Sequence, residues 1–116
     1  MIGLGVDAVD VDRFARALAR TPRMAERLFT DGERSVTAAS RLAARFAVKE
    51  AVMKAMGVGL GSFGWHEVET VRTESGAPEL LVRGAAATLA AGLGITRWMV
   101  SITHTDTTAV AVVAAL

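Results

Sequence analysis

The spacing of apolar and polar positions changes along this chain, and each change marks an element. Residues 2–9 alternate glycine or aspartate with Ile, Leu and Val, which predicts a strand. Asp10 to Arg20 switches to helical spacing, with Asp10 as N-cap, Phe14, Ala17 and Leu18 on the apolar side, and Arg13, Arg16 and Arg20 on another. Thr21-Pro22 predicts the start of a second short helix, because proline suits the first helical position. Phe29-Thr30-Asp31-Gly32 breaks the pattern. A long alanine-rich helix is expected over 38–56, closed by Gly57 as C-cap. Its apolar residues lie nearly all round, so it should be central and buried.

The second half reads as a loop over 57–64, a strand over 66–73, a turn over 74–78 and a returning strand over 79–83. A short alanine-rich helix over 84–92 follows, then strands over 97–103 and 108–115 joined by His104-Thr105-Asp106-Thr107. The order βαααββαββ predicts one α+β domain, 1–116, with a mainly antiparallel sheet packed on the long helix.

Charge is distributed unevenly on this frame. The only two lysines, Lys49 and Lys54, both lie on the long helix and flank Glu50; all other fixed positive side-chain charge is arginine. Lysine is a compact cation whose pKa shifts on burial, whereas arginine stays protonated. Charges on a buried helix need partners or a task. The helix runs into Gly57, Gly59 and Gly61, which permit positive φ and close backbone approach, as phosphate-cradling loops require. The spacing fits neither the P-loop nor the dinucleotide fingerprint, and a plain helix-ending loop accounts for it equally well. Glu50 and Lys54 are four apart, a pairing also common on solvated helix faces.

Asp7 stands in an apolar strand, where a carboxylate must be paired or metal-bound. Asp7 and Glu50 together suit Mg²⁺, which takes one or two carboxylates plus phosphate oxygens and water. His104, at a strand end beside threonines, suits a phosphate or a turn cap, and His66 is assigned nothing. Five arginines fall between positions 13 and 27 against one acid, Glu26, which suits either a solvated face or docking to an acidic partner.

Composition then removes function classes. With no cysteine there is no disulfide framework and no thiol nucleophile. A net charge of +1 gives no global field toward nucleic acid or membrane. Met1 leads into the first strand without a basic n-region or cleavage site, so a cytoplasmic location is expected. A chain 52% hydrophobic at this length suggests that part of its surface is covered in an oligomer.

Three segments in register carry a resemblance. Gly3-Leu4-Gly5-Val6-Asp7 with Arg13 downstream, Arg45-Phe46-Ala47-Val48-Lys49-Glu50-Ala51-Val52-Met53-Lys54-Ala55 with its glycine loop, and Ser101-Ile102-Thr103-His104-Thr105 before an apolar last strand resemble the holo-acyl-carrier-protein synthases. These are the short, trimeric type of 4′-phosphopantetheinyl transferase. The resemblance implies that fold and Mg²⁺-dependent transfer of phosphopantetheine from coenzyme A to a serine of an acyl carrier protein, of fatty-acid or polyketide synthesis, releasing 3′,5′-ADP. It implies Asp7 and Glu50 as metal ligands, Glu50 as base directly or through water, and Lys54 at the leaving phosphate. It further implies coenzyme A contacts from Arg45, His104, the Gly57–Gly59–Gly61 loop and, less directly, Lys49. The acidic carrier would meet Arg13, Arg16 and Arg20, and sites would lie at homotrimer interfaces. The alternative is a non-catalytic oligomeric module of the same fold that binds coenzyme A or another nucleotide.

Overall fold

The computed structural model describes all residues, 1–116. In chain order the main elements are β1 (Gly3–Asp10), α1 (Val11–Arg20), α2 (Met24–Leu28), α3 (Ala39–Met56), β2 (Val68–Arg72), β3 (Pro78–Val82), α4 (Gly84–Gly92), β4 (Trp98–His104) and β5 (Thr108–Ala115). The fold is α+β. The strands form two antiparallel sheets rather than one: β1-β5-β4, and the β2–β3 hairpin. No helix is long and apolar enough to cross a membrane.

Helix α3 organises the molecule. Of its 18 residues 12 are buried, so apolar cores form on both of its flanks, one against β5, β2 and α4, the other against α1 and α2. Its end follows from sequence: Gly57, at φ 70°, adopts the left-handed conformation that closes a helix with little steric cost.

Strand β1 packs on α3 in a manner the alternation alone does not suggest. Its inward positions are Gly3, Gly5, Asp7 and Val9, whereas Leu4 and Val6 point outward and are 59% and 55% exposed. The reason is space. An ideal Cβ on Gly3 would lie 1.9 Å from the Ala55 carbonyl oxygen, and one on Gly5 would lie 1.9 Å from that of Ala51. The strand thus lies against the helix backbone, which no larger side chain permits. Small inward residues of β5, Ala111 and Ala115, continue the same close layer opposite Asp7 and Gly3.

Two local expectations need correction. The second helix begins at Met24, not at Pro22: Thr21 serves the preceding helix, donating its N–H to the Ala17 carbonyl at 3.0 Å. His66 is not in a strand. Residues 65–67 form a short 3₁₀ turn because Glu67 takes the Gly64 and Ala85 N–H groups, each at 2.6 Å, and the strand starts at Val68. The 29–32 break is followed by a built turn: Thr30 and Glu33 exchange side-chain and backbone hydrogen bonds at 3.1 Å, a reciprocal cap.

Candidate active site

The close β1–α3 packing brings Asp7 over the turn of α3 that carries Glu50 and Lys54. Lys54 Nζ donates to Asp7 Oδ1 and to the Val6 carbonyl, each at 3.0 Å. The lysine thus pairs across elements, with Asp7, rather than along its own helix with Glu50. The Glu50 carboxyl is pushed above the usual carboxylate range, first by burial and then by the negative charge of Asp7, with Lys54 opposing. Two carboxylates against one lysine leave the cluster short of positive charge. That deficit is what a divalent cation supplies, and two carboxylates match the protein share of an Mg²⁺ shell completed by phosphate oxygens and water. No group of three or more metal-binding side chains exists to form an all-protein cage.

These three residues line a cleft of ≈ 630 Å³ whose other wall is α1. Arg13 stands in that wall, fixed in phase by the Asp10 cap, whose side chain accepts the Arg13 N–H at 2.8 Å. Arg16 and Arg20 continue from Arg13 as an exposed stripe, since positions three and four apart share a helix face. The floor is apolar, with Phe14 and Phe46 in ring contact at 5.2 Å.

Arg45 and His104 are brought together in a different cleft, of ≈ 220 Å³, on another flank of α3. Arg45 lines it from the helix and His104 from the end of β4. Arg41, Arg72 and Pro78 complete it.

Lys49 joins neither cleft. It is fully buried, donates to Glu33 Oε1 at 2.8 Å and to the Trp65 carbonyl at 2.9 Å, and also donates to the Val68 carbonyl. All three ammonium protons are therefore taken inside the chain, which corrects the expectation that Lys49 reaches a nucleotide. The second oxygen of Glu33 accepts the Thr70 N–H at 3.0 Å. Gly57, Gly59 and Gly61 form an open loop just beyond Lys54, and a Cβ at any of them would have nothing within 4 Å.

Sequence reasoning passed over Glu33, although Thr30-x-x-Glu33 is a capping-box spacing. Trp65 stacks on Phe46 at 5.5 Å, and Pro78 borders the Arg45 cleft. Arg41 and Arg72 carried no motif at all.

The sequence model of the 4′-phosphopantetheinyl transferase superfamily matches residues 3–112. The chain belongs to that superfamily. Within it, the chain groups with the holo-[acyl-carrier-protein] synthases and is an enzyme. It is 52% identical to the holo-[acyl-carrier-protein] synthase of Frankia casuarinae, over 99% of this chain and 97% of that one. It is likewise 52% identical to that of Clavibacter michiganensis, over 88% and 84% of the two chains. Among solved structures, the Neisseria meningitidis holo-[acyl-carrier-protein] synthase superposes with a TM-score of 0.91 at 28% identity, covering 100% and 98% of the two chains. The Helicobacter pylori enzyme, solved in complex with coenzyme A, gives 0.87 at 26% identity over 97% and 99%.

Proposed function

We propose that this phosphopantetheinyl transferase moves the 4′-phosphopantetheine group of coenzyme A to a serine of an apo acyl carrier protein, releasing 3′,5′-ADP in a Mg²⁺-dependent reaction. The observation that carries the reading is the cluster of Asp7, Glu50 and Lys54, closed by glycine-mediated strand–helix contact and facing a cleft edged by Arg13. Asp7 and Glu50 would hold Mg²⁺, which when bound supplies Lewis-acid neutralisation of the pyrophosphate. Glu50, directly or through a water, takes the serine proton as the serine oxygen bonds to the phosphorus that bears pantetheine. The bond from that phosphorus to the bridging oxygen breaks. Lys54 offsets the charge that collects on the departing 3′,5′-ADP. Such a transfer asks chiefly for positioning and charge neutralisation.

The second cleft, with Arg45 and His104, takes the nucleotide phosphates in this reading, and the glycine loop after Lys54 packs against the nucleotide. The two clefts lie on different flanks of one helix, so one chain presents two half-sites. The outer face of the β1-β5-β4 sheet is apolar, with Leu4, Val6, Val112 and Met99 exposed. We assign that face to the subunit contact of a homotrimer in which the carboxylate cleft of one copy faces the arginine cleft of the next. The arginine stripe of α1 then remains for the acidic carrier.

Incubation with coenzyme A, Mg²⁺ and an apo carrier protein, read by intact mass, should show the phosphopantetheine adduct. Glu50→Gln should cut the rate by about 10²–10⁴-fold at unchanged thermal stability or better. Full transfer by Glu50→Gln, or no adduct on any of several carriers, would sink the assignment. Sedimentation should give three times the 12.2 kDa chain mass; a monomer at micromolar concentration would overturn the two-half-site arrangement.

A further inference from the structure

The buried Lys49–Glu33 pair lines neither cleft of the proposed site, yet Lys49 is the residue before Glu50. Its ammonium donates to Glu33 Oε1 at 2.8 Å, to the Trp65 carbonyl at 2.9 Å and to the Val68 carbonyl. Glu33 is itself held: Oε1 also accepts the Thr30 N–H at 3.1 Å, and Oε2 accepts the Thr70 N–H at 3.0 Å. One ammonium thus ties α3 to the turn at 33–35, the turn at 65–67 and the start of β2. Both side chains are wholly buried.

Stability does not account for this arrangement. Desolvation offsets much of the attraction in a buried ion pair, and apolar side chains of similar volume often serve as well. The best-attested use of such a pair is to fix register, and α3 has need of that. Twelve of its residues are buried, and five of these are alanines, Ala43, Ala44, Ala47, Ala51 and Ala55. Apolar burial is non-directional, so it holds the helix in place without fixing its rotation. Gly3 and Gly5 set how closely β1 approaches α3, but they offer no side chain to interlock with it. Lys54 does bond across to β1, yet its side chain is 54% exposed and belongs to the cluster that must be positioned. The Lys49 bonds are directional and buried, and they lie nearly opposite the glycine contact, since Ala51 is about 200° from Lys49 around the helix. Side-chain ends lie about 5–6 Å from a helix axis, so a roll of about 10° moves the Glu50 carboxyl by roughly 1 Å. A displacement of that size costs on the order of 10²-fold in rate.

We propose that Lys49, through Glu33 and the Trp65 and Val68 carbonyls, is a positioning residue for the transfer: it locks the rotation of α3 that sets Glu50 beside Asp7. This rests on the function proposed above. Lys49 touches no substrate and acts only through the helix that carries Glu50.

The test replaces both partners together, because Lys49→Met alone strands a buried charge. Lys49→Met/Glu33→Gln is assayed for carrier modification well below its own melting temperature, where it is folded. Its kcat should fall by about 10²-fold, while KM for the carrier, whose docking stripe lies on α1, stays unchanged. A pair that serves stability alone would leave the folded variant with the kcat of the unmodified chain, and that result would overturn the proposal. Should the double variant not fold, Glu33→Gln alone, which keeps an oxygen for Lys49, is read the same way. The chain has no cysteine, so Lys49→Cys can be alkylated at that one position in denaturant and refolded. S-aminoethylation rebuilds an ammonium at lysine length and should restore kcat; S-propylation, of equal length without the charge, should not. Restoration by both, or by neither in folded protein, would overturn the proposal. If the unmodified chain modifies no carrier, the proposed function fails, and crystal structures decide. Displacement of the Glu50 carboxyl relative to Asp7 by about 1 Å or more in the double variant would still support the rotational lock, and an unchanged separation would end it.

Discussion

Gly5→Ala tests the contact on which the active-site cluster depends. The added Cβ would fall 1.9 Å from the Ala51 carbonyl oxygen, 2.8 Å from its carbonyl carbon and 2.9 Å from the Ala55 nitrogen. Ordinary contact begins at 3.4 Å, so β1 and α3 must separate by up to 1.5 Å at this point. All three obstructing atoms are backbone, and no side-chain rotation relieves them. Overpacking of this kind costs about 1–3 kcal/mol, or roughly 5–15 °C in Tm for a domain of this size. Catalysis should suffer more. Asp7 lies two residues along the same inward face, and a misplacement of about 1 Å costs on the order of 10²-fold in rate. The expected result is a folded, less stable protein whose kcat/KM for carrier modification falls by about 10²-fold or more. Gly92→Ala is the control: its Cβ meets nothing within 4 Å, its φ is not positive and it lies outside both clefts, so kcat/KM should stay near that of the unmodified protein and Tm should not fall. A Gly5→Ala variant with unchanged kcat/KM and a Tm within about 2 °C would refute the view that strand–helix proximity assembles the site.

Lys49→Met should lower stability by about 3–5 kcal/mol, read by urea unfolding, because it strands the fully buried Glu33 carboxylate; adding Glu33→Gln should recover part of the loss, and a cost below about 1 kcal/mol would remove the pair from the core. The stability of the metal-free chain should fall as pH rises above 4.5, the ordinary value for the Glu50 carboxyl. A carboxyl raised by burial favours the folded state below its unfolded pKa, and that contribution is lost as pH rises through the folded value, so Glu50→Gln should flatten this part of the curve; an unchanged slope in Glu50→Gln, read by urea unfolding without metal, would contradict it. Arg16→Glu, on the α1 stripe outside the catalytic cleft, should raise KM for an acidic carrier on the order of five- to tenfold at low salt and leave KM for coenzyme A alone; an unchanged carrier KM would remove the stripe from docking.

Helix periods and the Gly57 cap could be read directly from the chain, because each is set by local spacing or by one residue's backbone preference. The β1 pattern misleads for a physical reason. Alternation names two faces but does not say which is inward, and the hydrophobic rule assigns the inside to Leu4 and Val6. Contact with α3 reverses this, because only glycine fits against a helix backbone, and it leaves the aliphatic side chains outside. The partners of Lys49 were illegible for a different reason. Glu33, Trp65 and Val68 meet it only when the turn at 33–35 and the start of β2 lie beside α3, an arrangement of separated parts of the chain that no local pattern encodes.

The two lysines show how far helix phase alone resolves the site. At about 100° per residue, Glu50 and Lys54 are separated by about 40° around α3, whereas Lys49 and Lys54 are separated by about 140°. The lysine next to Glu50 in sequence is therefore turned away from it, and the one four residues on is brought beside it. Lys54 shares the cleft with Glu50 and keeps its side chain 54% exposed; Lys49 turns into the core and is consumed by Glu33 and two carbonyls. The same phase argument separates Arg45 from Glu50. Five positions apart, they too are about 140° apart, so the arginine that faces His104 cannot also face Asp7 within one chain. Under the proposed function, coenzyme A spanning both clefts would then be held by two chains, as in the homotrimer proposed above.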